Sequence, residues 1–425
     1  MSTPSSKTAV IAAAITLAST CAAIIHHSKT SGLCKTSEKK KETYLFVGDI
    51  GGTNTRLSIY ATDQKEPLHT KTYSNEEYFT SPTSTFENTI FPKFLSEECT
   101  SLKDDDSINL IACFAVAGPV HNNKVTLTNL GGVELDGSLV ENNTNGYLKY
   151  ITKCKIINDF VGQGYGLLDL DEDDAVELTP NAKQIIEENS PLGPKACVGA
   201  GTGLGECFLV TSSLHPSEGY ECYPSEGGHV DFVPRDALQV ELLNFLKEKF
   251  GGNTTSRISV ERVVSGKGLA NVYEFLAQKF PKKVRKDLHD EFEKAGALQG
   301  RVVGVSANDE ENPCELCVQA MEIMMSAYGA EVGNCAVKYI PTGGLYVSGG
   351  LTPKNIKFIQ GKDSPFMKAY FDKGRMTKNV LSGIPLLAVL NEGSGLDGAR
   401  VCALRVRYKL YFDCYFLYCI LFLCN

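Results

Sequence analysis

Asp159 follows Lys155-Ile156-Ile157-Asn158 and precedes Phe160-Val161-Gly162-Gln163-Gly164, so a carboxylate stands where a short β-branched run ends and a helix can begin. Ligands of open α/β sheets gather outside the carboxyl ends of the strands, and a carboxylate facing such a cleft can accept a proton as general base. It can equally be a helix N-cap, its oxygen satisfying the first backbone N–H groups. These residues alone leave both readings open.

Two glycine-rich turns offer a second chemistry. In Val47-Gly48-Asp49-Ile50-Gly51-Gly52-Thr53-Asn54 an apolar run gives way to a turn, and Leu57-Ser58-Ile59-Tyr60 then alternates like a second strand. With no Cβ at Gly51 and Gly52, backbone N–H groups can come close to a large anion. Thr53 and Asn54 add side-chain donors, and Arg56 adds a fixed positive charge. Asp49 makes sense beside a phosphate if a cation such as Mg²⁺ lies between them. The second turn, Gly199-Ala200-Gly201-Thr202-Gly203-Leu204-Gly205, also joins two strand-like runs. It is therefore not a dinucleotide fingerprint, which leads from strand to helix; Ser265-Gly266-Lys267-Gly268 likewise lacks the upstream Gly and following Ser/Thr of a P-loop. One such hairpin opens each half of the chain, as in a duplicated unit that clamps a nucleotide's phosphates from both sides.

A third group pairs carboxylates with Gly turns. Glu226-Gly227-Gly228-His229 sets a carboxylate and an imidazole across a bend, and Glu261 interrupts the apolar Ile258 to Val263 segment. Singly, each is an ordinary satisfied polar residue. Together they suit a sugar, because a carboxylate can accept several hydroxyl hydrogens.

The elements that must position these residues are short. Strands are expected at Asn109–Val116, Val125–Asn129, Leu345–Ser348 ahead of Gly349-Gly350, and Ile384–Val389. Helical spacing marks Ser84–Leu95, interrupted by Pro92, and Phe245–Phe250, Leu269–Phe280, Glu315–Tyr328 and Gly395–Leu404. A length of 425 residues exceeds one ordinary core and points to two domains. The net charge of −8 argues against a nucleic-acid partner. Fifteen scattered cysteines suit a reducing compartment, and only Cys314-Glu315-Leu316-Cys317 has a metal-like spacing, without a second pair or nearby His. Sequons at Asn142 and Asn253 are no more than chance supplies.

The first 43 residues read as a separate anchor or targeting segment. Ala9–Ile25 is an uncharged apolar run near the lower limit for spanning a bilayer, and five lysines between Lys29 and Lys41 follow it. That asymmetry would keep the downstream domains on the cytosolic face of a membrane. A cleaved organelle transit peptide (plastid or mitochondrion) and a secretory signal are the competing readings. At the other end, residues 408–425 form an apolar tail that could pack on the domain or touch a membrane.

In order and spacing, the motifs at 47–54, 156–160, 199–205, 226–232, 260–266 and 347–350 resemble the bacterial-type glucokinases, a branch of the actin-like ATPase superfamily of sugar kinases. The resemblance spans about residues 44 to 405. It implies an α/β, ribonuclease H-like fold of two domains around a cleft: a smaller one from 44–165 plus about 386–407, and a larger one from 166–385. It implies ATP and Mg²⁺ as cofactors, glucose as substrate and, by analogy, a homodimer. Asp159 would be the base for the sugar 6-hydroxyl, and Asn158, Glu226, His229 and Glu261 would hold the other hydroxyls. Asp49, Gly51, Gly52, Thr53, Asn54, Gly201, Thr202 and Gly203 would face MgATP, with Asp49 acting on the metal indirectly, and Gly349 and Gly350 would lie near the adenosine. A kinase for another hexose, or a catalytically silent sugar sensor, is the alternative. The chain departs from the family in having no Trp after Thr128-Asn129, and the zinc-binding Cys cluster of the repressor-type sister group is missing after His229.

Overall fold

A computed structural model describes residues 41–98, 108–190, 192–211, 219–251 and 257–423. The Ala9–Ile25 run, the charged loop at 103–107 and the Asn253 sequon lie outside them. The opening hairpin forms as its alternation requires: β1 (Glu42–Ile50) pairs antiparallel with β2 (Asn54–Ala61), and Asp49 faces Arg56 across the ladder. With β3 (His69–Ser74), β4 (Ile108–Val116) and β7 (Ile151–Asn158) it makes a five-stranded sheet in the order β3-β2-β1-β4-β7. A small hairpin, β5 (Lys124–Leu127) with β6 (Val133–Asp136), stands apart from it. The second sheet has six strands in the order β11-β10-β9-β12-β13-β8. They are β8 (Ala175–Glu177), β9 (Lys195–Ala200), β10 (Leu204–Thr211), β11 (Tyr220–Ser225), β12 (Leu345–Ser348) and β13 (Leu386–Val389).

Because side chains alternate across a strand, each sheet divides its residues between two cores. Along β1, Phe46 and Ile50 join an outer cluster with Phe91, Phe94 and Phe114, whereas Leu45 and Val47 point the other way. In the outer cluster the Phe91 and Phe114 rings stack with centroids 4.4 Å apart. Phe91 and Phe94 come from α1 (Ile90–Glu98), which tolerates Pro92 because a first-turn residue has no intrahelical N–H bond to lose. The inward set, Leu45 and Val47 with Cys113 and Ala115, shares one core with Cys197, Cys207 and Leu209 of the second sheet. The two sheets are therefore joined through apolar packing.

Two helices fill that shared layer: α2 (Asp159–Gly166) and the long α8 (Ser394–Leu423). Glycines let them touch by backbone. A Cβ on Gly398 would collide with the Gly162 carbonyl oxygen, and one on Gly166 with that of Ser394. Gln163 adds a polar tie, accepting at Oε1 from Ser348 Oγ at 2.9 Å and from Ser394 Oγ.

The larger core is helical: α3 (Ala237–Phe250), α4 (Gly266–Lys279), α5 (Gln299–Asn308), α6 (Glu315–Tyr339) and α7 (Pro365–Phe371). The sequence ends α6 at Tyr328, but it runs to Tyr339. It is buried on several sides, so its apolar pattern lacks a one-face period. Gly329 and Gly333 admit the Phe366 and Tyr370 carbonyls of α7. Two other boundaries also move. Strand 386–389, assigned by resemblance to the smaller domain, is hydrogen-bonded inside the six-stranded sheet, with Leu386 beside Leu345. The final helix continues through the apolar tail to Leu423. Among the described residues no helix is long and apolar enough to cross a membrane.

In an ordinary helix Gly→Ala stabilises by about 0.5–1 kcal/mol. At Gly398 the sign should reverse, since the methyl group must push Gly162 away, an overpacking cost of about 1–3 kcal/mol. Urea unfolding of Gly398→Ala measures this, and a gain in stability would mean the helices are not in backbone contact.

Candidate active site

The N-terminus of α2 settles which residue caps it. Asn158 has extended backbone (φ −64°, ψ 150°), and its Oδ1 accepts from Phe160 N at 2.9 Å and Val161 N at 3.3 Å. Its Nδ2 donates to the Gly118 carbonyl at 3.1 Å and to Asp159 Oδ1 at 2.9 Å. Both ends of the amide thus serve the fold. Asn158, expected among the sugar-holding residues, is placed as a cap that orients its neighbour. Asp159 does not hold the cap position but sits in the first turn, where its Oδ1 also accepts from Phe160 N at 3.0 Å and the helix dipole favours a negative charge.

Two other carboxylates act on Asp159. Burial raises the Asp159 pKa to about 6; the charges of Asp49 and Glu226 add to the rise, and the Phe160 N–H opposes it. Asp49, at the end of β1, is also raised by burial, with Arg56 pulling the other way. Asp159 is thereby linked electrostatically to the first Gly turn through Asp49 and to the Glu226–His229 turn through Glu226. Glu226 and His229 remain exposed, their side chains 3.8 Å apart.

The Gly turns are braced by groups the sequence gave no reason to select. Asn75, fully buried, donates from Nδ2 to the Gly51 carbonyl at 2.8 Å, and its backbone N–H donates to the Thr53 carbonyl at 2.8 Å. Thr55 Oγ1 closes the set on Asn75 Oδ1 at 2.7 Å. Thr53 and Asn54 are left exposed at the tip. In the second turn Gly201 N–H bonds the Gly203 carbonyl, and Gly266 N–H bonds the Gly201 carbonyl, both at 2.8 Å, which ties the turn to the start of α4. Thr202 is exposed at its apex. Gly349, at φ +84°, lies against the Ala200 backbone, and Gly350 follows at the start of a short helix. The Tyr328 hydroxyl sits beneath, donating to the Val198 carbonyl at 3.0 Å and accepting from Ala200 N at 3.2 Å.

Glu261 has a placement that the sequence did not anticipate. Its Oε2 accepts from Leu204 N at 3.0 Å, and a Cβ on Gly203 would lie 2.5 Å from that oxygen. A residue read as sugar-holding is thereby also a brace of the second Gly turn. Phe160 supplies the other unexpected contact. Gly199 and Gly205 are opposite one another in the β9–β10 ladder, and the Phe160 ring lies on both. A Cβ on Gly199 would be 2.9 Å from the ring, and one on Gly205 would fall inside it. The residue next to Asp159 therefore rests on the strands that carry the second turn.

Two α/β sheets, with paired glycine hairpins and an acid at a strand end, make the fold of the sugar kinases of the actin-like ATPase superfamily. The glucokinase family model matches residues 46–406. The chain is 37% identical over 365 residues to the glucokinase of Synechocystis sp., covering 84% of this chain and 97% of that one. It is 36% identical over 373 residues to the glucokinase of Nostoc punctiforme, covering 86% and 100%. The fold is similar to the crystal structure of Balamuthia mandrillaris glucokinase in complex with glucose, at a TM-score of 0.66 and 22% identity over 87% of this chain and 95% of that one. The chain belongs to the glucokinase family.

Gly205→Ala should push the Phe160 ring and Asp159 out of place while leaving the ladder hydrogen bonds possible. Displacements of about 1 Å at reacting groups can cost ~10²-fold in rate. A kcat loss of about tenfold or more is expected, partly restored by Phe160→Leu in the same chain. Additive single and double mutants would show that the two positions are not coupled.

Proposed function

We propose that this chain transfers the γ-phosphoryl group of ATP to the 6-hydroxyl of glucose, giving glucose 6-phosphate and ADP, with Asp159 as the proton acceptor. The observation that carries this reading is the position of Asp159, in the first turn of α2 after the Asn158 cap and within the fields of both Asp49 and Glu226. In the step, the sugar oxygen bonds to the γ-phosphorus as the bond to the β-phosphate bridging oxygen breaks, and the hydroxyl proton passes to the Asp159 carboxylate. Phosphoryl transfer asks a protein mainly for position and charge stabilisation, plus one group to take that proton. With a pKa near 6, Asp159 is mostly ionised at neutral pH yet basic enough to accept.

The remaining roles extend the same reading. Gly51, Gly52, Thr53 and Asn54 cradle phosphate from one side, Gly201, Thr202 and Gly203 from the other, and Gly349-Gly350 borders the adenosine. Glu226 and His229 accept and orient sugar hydroxyls; Glu261 does so while holding the second turn. Asp49 would hold a Mg²⁺ ion through water, since its carboxylate stands at the end of β1 beside the first Gly turn. Bound there, Mg²⁺ would neutralise charge on the phosphates. The lobe boundaries read from the sequence, with 386–389 moved to the larger lobe, give the units that would close on the two substrates. Residues before Glu42 act on location rather than turnover, so an enzyme beginning there should keep its kcat in a coupled ATP/glucose assay; failure to fold would place that segment in the core.

Asp159→Asn keeps shape but cannot accept a proton. It should lower kcat by about 10²–10⁴-fold while the glucose Kd stays within about tenfold. Near-normal turnover would remove Asp159 from catalysis, and no glucose phosphorylation by the wild type would leave another hexose or a silent sensor. The pH dependence has a definite sign. A base must be deprotonated, so kcat should fall as pH drops through about 6. The same raised pKa means the folded state binds this proton more tightly than the unfolded chain. Its contribution to stability is thus greatest in acid and is lost as pH rises from the ordinary carboxylate range through about 6. In Asp159→Asn, melting temperature should show no such loss.

Glu261→Gln provides a check on the dual placement. Exchanging one acceptor oxygen for a donor removes a charge-assisted bond worth about 1.5–3 kcal/mol. The glucose KM should rise about ten- to a hundredfold, and the ATP KM should rise as well through the Leu204 N–H. An unchanged ATP KM would confine Glu261 to the sugar.

A further inference from the structure

Beneath the Glu226–His229 turn lies a carboxyl group that the proposed mechanism does not use. Glu206, on β10 opposite Ser225 of β11, is only 1% exposed. Its carboxyl packs directly against Gly227, where any Cβ would overlap Oε2. From the other side Cys335 of α6 donates its thiol to Oε2 at 3.3 Å, and Oε1 is buried without a hydrogen-bond partner. Ser225, its cross-strand neighbour, accepts from Gly227 N at 3.1 Å. Glu206 is therefore a wedge between α6 and the backbone of the turn.

Nearby Glu331 is 3% exposed and could complete a cation site with Glu206 and Cys335. Its oxygens are already engaged, however: Oε2 accepts from Asn334 Nδ2 at 2.9 Å, and Oε1 accepts from Lys338 Nζ at 3.3 Å. An ammonium supplies the positive charge there. A second ionised carboxylate beside Glu331, with one oxygen unpartnered, is costly.

We propose that Glu206 is a positioning residue of the sugar site, a neutral carboxyl that holds the 226–229 turn in its sugar-binding shape and loosens it on ionising. The proposal rests on the reading of Glu226 and His229 as sugar-binding residues. Burial and then the Glu331 charge raise Glu206 to about 7, against the Cys335 thiol and Lys338, so the change falls within the working range. The groups facing it are Glu331, Cys335, Lys338, Tyr339 and Tyr328 of α6, with Lys373 behind Glu331. Glu226 and His229, on the turn, face solvent. Once ionised, the carboxylate repels Glu331 and gains no donor from Gly227, so the turn carries the strain.

The test is the glucose KM at saturating ATP from pH 6 to 9 for the full chain, its Glu206→Gln variant and its Glu331→Gln variant. Wild-type KM should rise about threefold or more as pH passes 7, with little change in kcat. Glutamine mimics the neutral acid at the same volume, so Glu206→Gln should hold the low-pH KM throughout. It should also melt higher than wild type at pH 8.5 and no higher near pH 4.5, because a raised acid pKa costs stability only once pH climbs past the unfolded value. Glu331→Gln removes a charge that raises Glu206, so its KM rise should begin at lower pH. Parallel rises in wild type and Glu206→Gln overturn the proposal, as does an unmoved midpoint in Glu331→Gln. Glu226→Gln separates the two readings: if it leaves glucose KM unchanged at every pH, the sugar-site reading fails; if it raises KM while Glu206→Gln follows wild type, only the Glu206 proposal fails.

Discussion

The contact on which the site depends is the Phe160 ring lying on Gly199 and Gly205. A ring can rest on a sheet at that distance only where two cross-strand neighbours both lack side chains, and the β9–β10 register pairs these two glycines. The consequence is mechanical. Phe160 is the residue after Asp159, and β9–β10 carries the second glycine turn, so the acid and that turn are fixed to each other through one aromatic face. Glycines usually discussed for their access to phosphate have a second duty here, which is to make room for a side chain.

The same economy of side chains governs the layer between the sheets. α2 and α8 meet by backbone at Gly162, Gly166 and Gly398, and Gln163 reaches Ser348 on one side and Ser394 on the other. A layer built from backbone contacts has few rotamers to rearrange. It transmits displacement rather than absorbing it. Asp49 lies at this layer as well, since a Cβ on Gly395 would be 3.4 Å from its Oδ2. Whatever moves α8 against α2 also moves the carboxylate nearest the first turn.

Electrostatics add a second layer to this mechanical one. Asp49, Asp159 and Glu206 are all raised, with burial the largest cause each time. Their surroundings then separate them. Asp49 has Arg56 as an opposing charge, Asp159 has the Phe160 N–H, and Glu206 has a neutral thiol and an acidic neighbour. These different surroundings support the three proposed roles, Asp49 toward a cation, Asp159 as proton acceptor and Glu206 as a neutral wedge.

The sequence by itself determined the local elements and the residue types of the site. Hydrophobic alternation with glycine at the bends defines both hairpins, since a two-residue period and a Cβ-free turn are local properties. The run of β-branched residues before Asn158-Asp159 fixes a strand end and helix start for the same reason. The order of these motifs was enough to place the chain in a family. Tertiary structure alone decided what could not be local. It chose Asn158 over Asp159 as the cap, because that choice depends on backbone dihedrals and on the Gly118 carbonyl forty residues away. It drew Asn75 under the first turn and Glu261 under the second, and put strand 386–389 in the larger sheet beside β12. It also set Glu206 against Gly227, which neither periodicity nor motif could indicate, because what isolates a buried acid from water is the surrounding fold and not its neighbours in the chain.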